Sequence, residues 1–193
     1  MTKAAELAKM GEVLTNSQIG GRRNIVINGA MQVAQRATQV TGLGAADGYH
    51  TLDRWNMEIG DTSAGRFTMD QIADGPSGFA NSLKLTTTTA DTSIAAGEFL
   101  KLEQRFEGKD LQQLKKGTSD AEKVTVSFYV KGNAAATYTC ELADVDNTRS
   151  INQAFAVTTD WTRVILTFAA DTSGSLDDDV NNSLQLNIWL HGG

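Results

Sequence analysis

Apolar residues recur at helical spacing in only two places. Near the start, Leu7, Met10 and Leu14 follow Thr2, a candidate N-cap, and predict a short helix over residues 2–14. A helix this short is marginal in water and must lean on something. Its narrow stripe suits either its own domain or a seam between identical chains. Residues 15–23, with Asn16, Ser17, Gly20 and Gly21, read as a linker. The second place is Asp110 to Lys116, where Asp110 is a candidate cap, Leu111 and Leu114 share a side, and Gly117 stands where a helix can stop.

From Asn24 the pattern changes to runs rich in Val, Ile, Thr and aromatics, several of them alternating with a period of two. In Asp53 to Ile59, Trp55, Met57 and Ile59 alternate with Arg54, Asn56 and Glu58, as in a sheet buried on one face. Further runs lie at Arg66 to Gln71, Ser82 to Thr86, Glu98 to Phe106, Lys123 to Lys131, Thr137 to Ala143, Ser150 to Thr158, Thr162 to Ala169 and Leu184 to His191. The threonine-rich residues 86–92 read as a strand end passing into a loop. Regular turns and the lack of crossover helices predict an all-β fold, an antiparallel β-sandwich or jelly roll with a short N-terminal helix and one short internal helix. Two segments follow: residues 1–23 as helix and linker, and residues 24–193 as the sandwich. Leu100, Leu102 and Phe106 face inward together with Gln104, whose buried amide must find partners, either by bridging strands or by touching a ligand. Trp55 and Trp161 are expected in the core, because the first shares a face with Met57 and Ile59 and the second precedes a strongly apolar strand.

Composition narrows the function. A 193-residue chain that is 40% hydrophobic can build one sizeable core. Its formal net charge of -6 lacks the basic surface that phosphate contacts need, so no nucleic-acid partner is expected. Cys140 is the only cysteine, which excludes an intrachain disulfide. Charges interrupt the amino-terminal apolar stretch and no run is long enough to span a bilayer, so neither a signal peptide nor membrane insertion is expected. His50 and His191 have no partner at metal-ligand spacing, and no nucleophile elbow, phosphate loop or dinucleotide fingerprint occurs. We therefore assign no catalytic residue, no metal ligand and no cofactor. Asp144 with Asp146, and Asp171 with Asp177, Asp178 and Asp179, could hold a hard cation, but they lack the spacing of a calcium loop and read as solvated turns.

Residues 24–36, Asn24-Ile25-Val26-Ile27-Asn28-Gly29-Ala30-Met31-Gln32-Val33-Ala34-Gln35-Arg36, followed by Tyr49-His50-Thr51-Leu52-Asp53-Arg54-Trp55, resemble the opening of a family of bacteriophage tail-fibre and other virion structural proteins. Leu102 to Glu107, Val124 to Gly132 and Trp161 extend the resemblance over most of the chain after Gly20. It implies a jelly-roll module similar to carbohydrate-binding domains. Asn24, Asn28 and Gly29 would suit a strand ending in a tight turn, and Asp53-Arg54-Trp55 an apolar anchor beside an ion-pair candidate. Members of the family continue past the last strand, so the resemblance implies further chain or a partner beyond Gly193.

The expected function is that of a virion structural protein, a tail fibre or similar surface appendage made in the host bacterial cytoplasm. It would attach to host-surface glycan and contact other virion proteins, most simply as a homotrimer whose weak contacts add up. A capsid decoration or connector protein and a glycan-processing enzyme are the alternatives. Leu7, Met10 and Leu14 are the candidates for attachment or oligomerisation. For ligand binding, alternation places Trp189 with Gln185, Asn187 and His191, opposite Leu184, Leu186, Ile188 and Leu190. It likewise places Tyr129 with Thr125, Ser127 and Lys131. Trp189 and Tyr129, with Gln185 and Asn187, are the candidate glycan contacts, since an aromatic face flanked by amides suits a sugar ring.

Overall fold

Strand-forming runs separated by turn residues build an all-β antiparallel sandwich, seen in a computed structural model that describes residues 3–5, 24–60 and 64–193. Leu7, Met10, Leu14 and the linker at 15–23 lie outside the described residues. The strands are β1 (Gln39–Leu43), β2 (Asn56–Gly60), β3 (Arg66–Ile72), β4 (Ser82–Thr89), β5 (Phe99–Glu107), β6 (Val124–Val130), β7 (Ala136–Asp144), β8 (Arg149–Val157), β9 (Thr162–Phe168) and β10 (Asn182–Gly192). A five-stranded sheet has the order β2-β5-β10-β7-β8, and two smaller sheets have the orders β1-β3-β4 and β6-β9. The last strand thus lies in the middle of the large sheet, paired on both sides.

Alternation decides what each strand buries. In the large sheet one cross-strand row reads Met57, Leu102, Ile188 and Cys140, all turned to the interior. Inward residues of all three sheets join one hydrophobic cluster, tied across the layers by an edge-on contact of Phe128 with Phe155 at 5.1 Å between centroids. Cys140 is buried there, and loss of hydration pushes its thiol up to about 12, which makes it an inert packing residue.

The opening segment differs from the expected strand. Residues 24–38 form no strand, because side chains take over the backbone's partners. The Gln104 amide accepts from the Ile27 N–H at 2.8 Å and donates to its carbonyl at 2.9 Å, serving residue 27 as a neighbouring strand would. Gln104 is therefore a fully buried structural bridge. Asn28, in the left-handed region at φ 55°, accepts from the N–H groups of Gln32 and Val33 and donates to the carbonyls of Val33 and Asp53. Trp55 Nε1 donates to the Asn28 carbonyl, and Arg36 pairs with Asp53 at 3.2 Å. The segment that carries the family resemblance is thus a knot fastening residues 24–36 to residues 51–55.

Two further expectations change and one boundary moves. Residues 110–116 form no α-helix but two 3-10 turns, Gly108–Asp110 and Gln112–Leu114, without a side-chain cap. The chain there is bonded instead to the acidic loop, through Lys109 N–H to Asp179 O and Gly117 N–H to Asp171 O. The threonine run ends a strand and passes into a loop, with the strand reaching Thr89. Trp161 is half-buried at the rim, covered by Lys131 at 5.0 Å, whereas Trp55 is a core residue.

The acidic loops are not simply solvated. Lys116 pairs with the buried Asp144 and with Asp171 at 3.1 Å, and it donates to the carbonyls of Gly174 at 2.7 Å and Ser173 at 3.2 Å. Burial works against charge at Asp171, but the Ser173 N–H, Lys116 and Arg149 outweigh it and hold that carboxyl below its ordinary value. Among the described residues no three His, Cys, Asp or Glu side chains are placed to share a metal ion. No described helix is long and apolar enough to cross a membrane.

Candidate functional site

The outer face of the large sheet carries the chemistry. Period two turns Phe99, Lys101, Glu103 and Arg105 of β5 to the side opposite Leu100, Leu102 and Gln104. Strand pairing then sets them in cross-strand rows. One row runs Asn56, Glu103, Asn187, Glu141 and Asn152; the next runs Glu58, Lys101, Trp189, Thr139 and Ala154. The first is polar throughout, yet Glu103 and Asn187 have no exposed surface. Polar groups so enclosed must satisfy one another.

On the β2–β5 side the charged groups form an ionic cluster, although Glu103 Oε2 is left without a hydrogen bond. Lys101 lies 3.3 Å from Glu58 and 3.7 Å from Glu103, and Arg105 bonds directly to Glu103. Glu58 and Glu103 both face the Lys101 ammonium, so their titrations are linked. Burial, then the hydrogen bond and charge of Glu103, raise the Glu58 carboxyl. Burial pushes Glu103 the same way, but the bonds from Glu58 and Arg105 and the charges of Arg105 and Lys101 bring it below its ordinary value. Glu58 is the carboxyl of the two that takes up a proton first as pH falls.

A stability profile follows. A carboxyl raised by folding costs stability as pH rises from its unfolded value; a lowered one loses its contribution as pH falls below that value. The pair's contribution therefore peaks near the shared reference of 4.5, falling on the acid side through Glu103 and on the alkaline side through Glu58. Glu58→Gln keeps the side chain's size and removes its titration. Urea midpoints from about pH 3 to 8 should keep their acid limb in this variant and lose the Glu58 decline above 4.5.

The β10–β7 side is built around Trp189. Its Nε1 donates to Glu141 Oε2 at 2.7 Å, and Asn187 Nδ2 donates to the same oxygen at 2.9 Å. Phe99 packs against the indole at 5.3 Å between centroids, and Lys101 approaches at 5.4 Å. Phe99 is itself seated over Gly60, where a Cβ would fall 2.1 Å from its ring. Trp189, Thr137, Thr139, Glu141, Asn152 and His191 border an open concavity of about 370 Å³. A fixed aromatic edge, two hydroxyls, an amide and a carboxylate around a shallow hollow can bind a polar ring compound.

Of the expected contacts, Trp189, Asn187 and Gln185 share this face. Tyr129 does not join them. It lies on β6, turned outward from the two-stranded sheet, against Phe79 at 5.9 Å. His191 leaves the strict alternation because the pairing shifts between Trp189 and His191, setting His191 opposite the inward Leu100. Glu141, Phe99, Lys101, Glu103, Glu58 and Asn152 were not singled out from the sequence. Alternation in Thr137, Thr139 and Glu141 was available as a signal, but not the pairing that brings them beside Trp189.

Fold and site together define a sandwich with a polar, tryptophan-bearing sheet face. The chain matches no protein-family model and no curated protein sequence. Among solved structures it is similar to one described as "CBM4 structure and function", at 15% identity over 87% of this chain and 89% of that one, with a TM-score of 0.42. It is also similar to the enzymatically active domain of tailspike protein 4 of bacteriophage CBA120, at 12% identity over 91% of this chain and 20% of that one, with a TM-score of 0.44.

Proposed function

We propose that this chain is a non-catalytic binding sandwich of a phage surface appendage, which holds a host-surface glycan against the outer face of its large sheet. One observation carries the glycan reading: Trp189 is locked by Glu141 and Phe99 at the rim of a hollow lined with hydroxyl, amide and carboxylate groups. A pyranose has an apolar C–H face for the indole and a polar rim for those groups. The virion assignment rests on the resemblance of residues 24–36 and 49–55, which here do structural work. Binding is favoured over hydrolysis because Glu58 and Glu103 are both engaged by Lys101 and Glu103 is fully buried, whereas glycosidase carboxyls flank a bound substrate roughly 5 to 9.5 Å apart. A homotrimer would multiply weak contacts of this kind.

Trp189→Ala should lower glycan or host-cell binding about tenfold or more, while its lost ring contact and hydrogen bond cost about 1 to 2 kcal/mol of stability. Trp189→Phe, which keeps a ring but not the N–H, should fall between. A Trp189→Ala protein that melts earlier yet binds host cells undiminished would reduce the indole to packing and end the glycan reading. A second reading, reinforcement by contact with other virion chains, draws on the exposed Ile165 and Tyr129, which share the outward face of the β6–β9 sheet.

A further inference from the structure

We infer that Glu141 sets ligand charge at this site, selecting neutral sugars that present hydroxyl donors and rejecting uronic and other acidic sugars; the inference rests on the glycan reading above. Glu141 is enclosed except for 8% of its surface, and its two oxygens are used differently. Oε2 accepts from both Trp189 Nε1 and Asn187 Nδ2, which fixes the plane of the carboxylate. Oε1 has no partner among the described residues, and Glu141 borders the hollow beside the indole. A carboxylate oxygen accepts and cannot donate. A ring stacked on Trp189 must therefore offer a hydroxyl there, and a second carboxylate would meet only repulsion in a half-desolvated place.

The cations do not reverse this. Lys101 also reaches the Trp189 ring at 5.4 Å, but its ammonium and Arg105 are engaged by Glu58 and Glu103 on the β5 side, whereas Glu141 meets the indole from β7. Opposite Glu141 stands Asn152, exposed and neutral, with both donor and acceptor to give.

The test is a glycan array of linkage-matched pairs, each a neutral hexose oligomer and its uronic-acid counterpart, followed by titration calorimetry on the best pair. Wild type should prefer the neutral member by about tenfold or more. Glu141→Gln keeps an acceptor for Trp189 and Asn187 but turns a donor toward the ligand, and it should shrink that preference to within about threefold. Asn152→Asp, at an exposed position that leaves folding intact, should widen it. Equal or better binding of the acidic member by wild type overturns the inference. So does a preference that Glu141→Gln and Asn152→Asp both leave unchanged while Trp189→Ala still abolishes binding; the glycan reading then survives. If no glycan is bound and Trp189→Ala changes nothing on host cells, the glycan reading falls and the inference with it.

Discussion

Lys116→Met is expected to destabilise the protein by about 3 to 5 kcal/mol, the range for removing one partner of a buried ion pair. Asp144 is 5% exposed and bonds to the ammonium, and its other neighbour of note, Asn147, cannot neutralise it. Methionine keeps the length and apolar stem of lysine, so little packing is lost and most of the effect is the stranded charge. Arg149 remains on Asp171 at 3.0 Å, which leaves Asp144 as the exposed weakness. Adding Asp144→Asn should therefore recover a large part of the loss, and the double-mutant cycle in urea measures the coupling. Independent losses for the two substitutions would show that the pair is not the origin. The same geometry bears on calcium. Two carboxylates and two carbonyls already surround the Lys116 ammonium, so added calcium should leave the wild-type midpoint unchanged.

Alternation carried the reading furthest where strands are long and covered on one face. It placed Leu100, Leu102, Gln104 and Phe106 inward and set Trp189 with Asn187 and Gln185 on the other side, as the structure has them. It failed where a few side-chain bonds outweigh propensity. Ile25, Val26 and Ile27 have the composition of a strand, but the Gln104 amide takes both backbone groups of Ile27 and the Asn24 side chain takes the Val26 N–H. Asp110 to Lys116 has caps and spacing suited to a helix, yet the segment is short and bonds outward to residues 171 and 179. Half of the site was out of reach for another reason. Glu141 touches Trp189 across 48 positions of sequence, and only the order β5-β10-β7 makes them neighbours. Strand order depends on how loops and layers pack, which alternation within a strand does not encode.

The two rim-or-core tryptophans should separate cleanly by stability. Trp55 is 5% exposed, shares its inward face with Met57 and spends its N–H on the Asn28 carbonyl, so Trp55→Ala removes a large buried ring together with one bond of the opening knot. The expected loss is roughly 3 to 5 kcal/mol, from the missing ring and the cavity left behind. That is a large share of the 5 to 15 kcal/mol typical of a domain. Trp161 has weaker anchors, a long 3.5 Å contact with exposed Asp74 and the Lys131 ammonium above its ring, both open to water and to salt. Trp161→Ala should cost about 1 kcal/mol, and less at high ionic strength. Matched urea curves for the two variants decide the matter. Similar midpoints for both would mean that the ring of Trp161 is as necessary to the core as that of Trp55, and that burial at the rim has been undervalued. A Trp55 variant that keeps the wild-type midpoint would instead show that its indole is not a needed anchor of the opening segment, which the Asn28 bond to the Asp53 carbonyl would still hold.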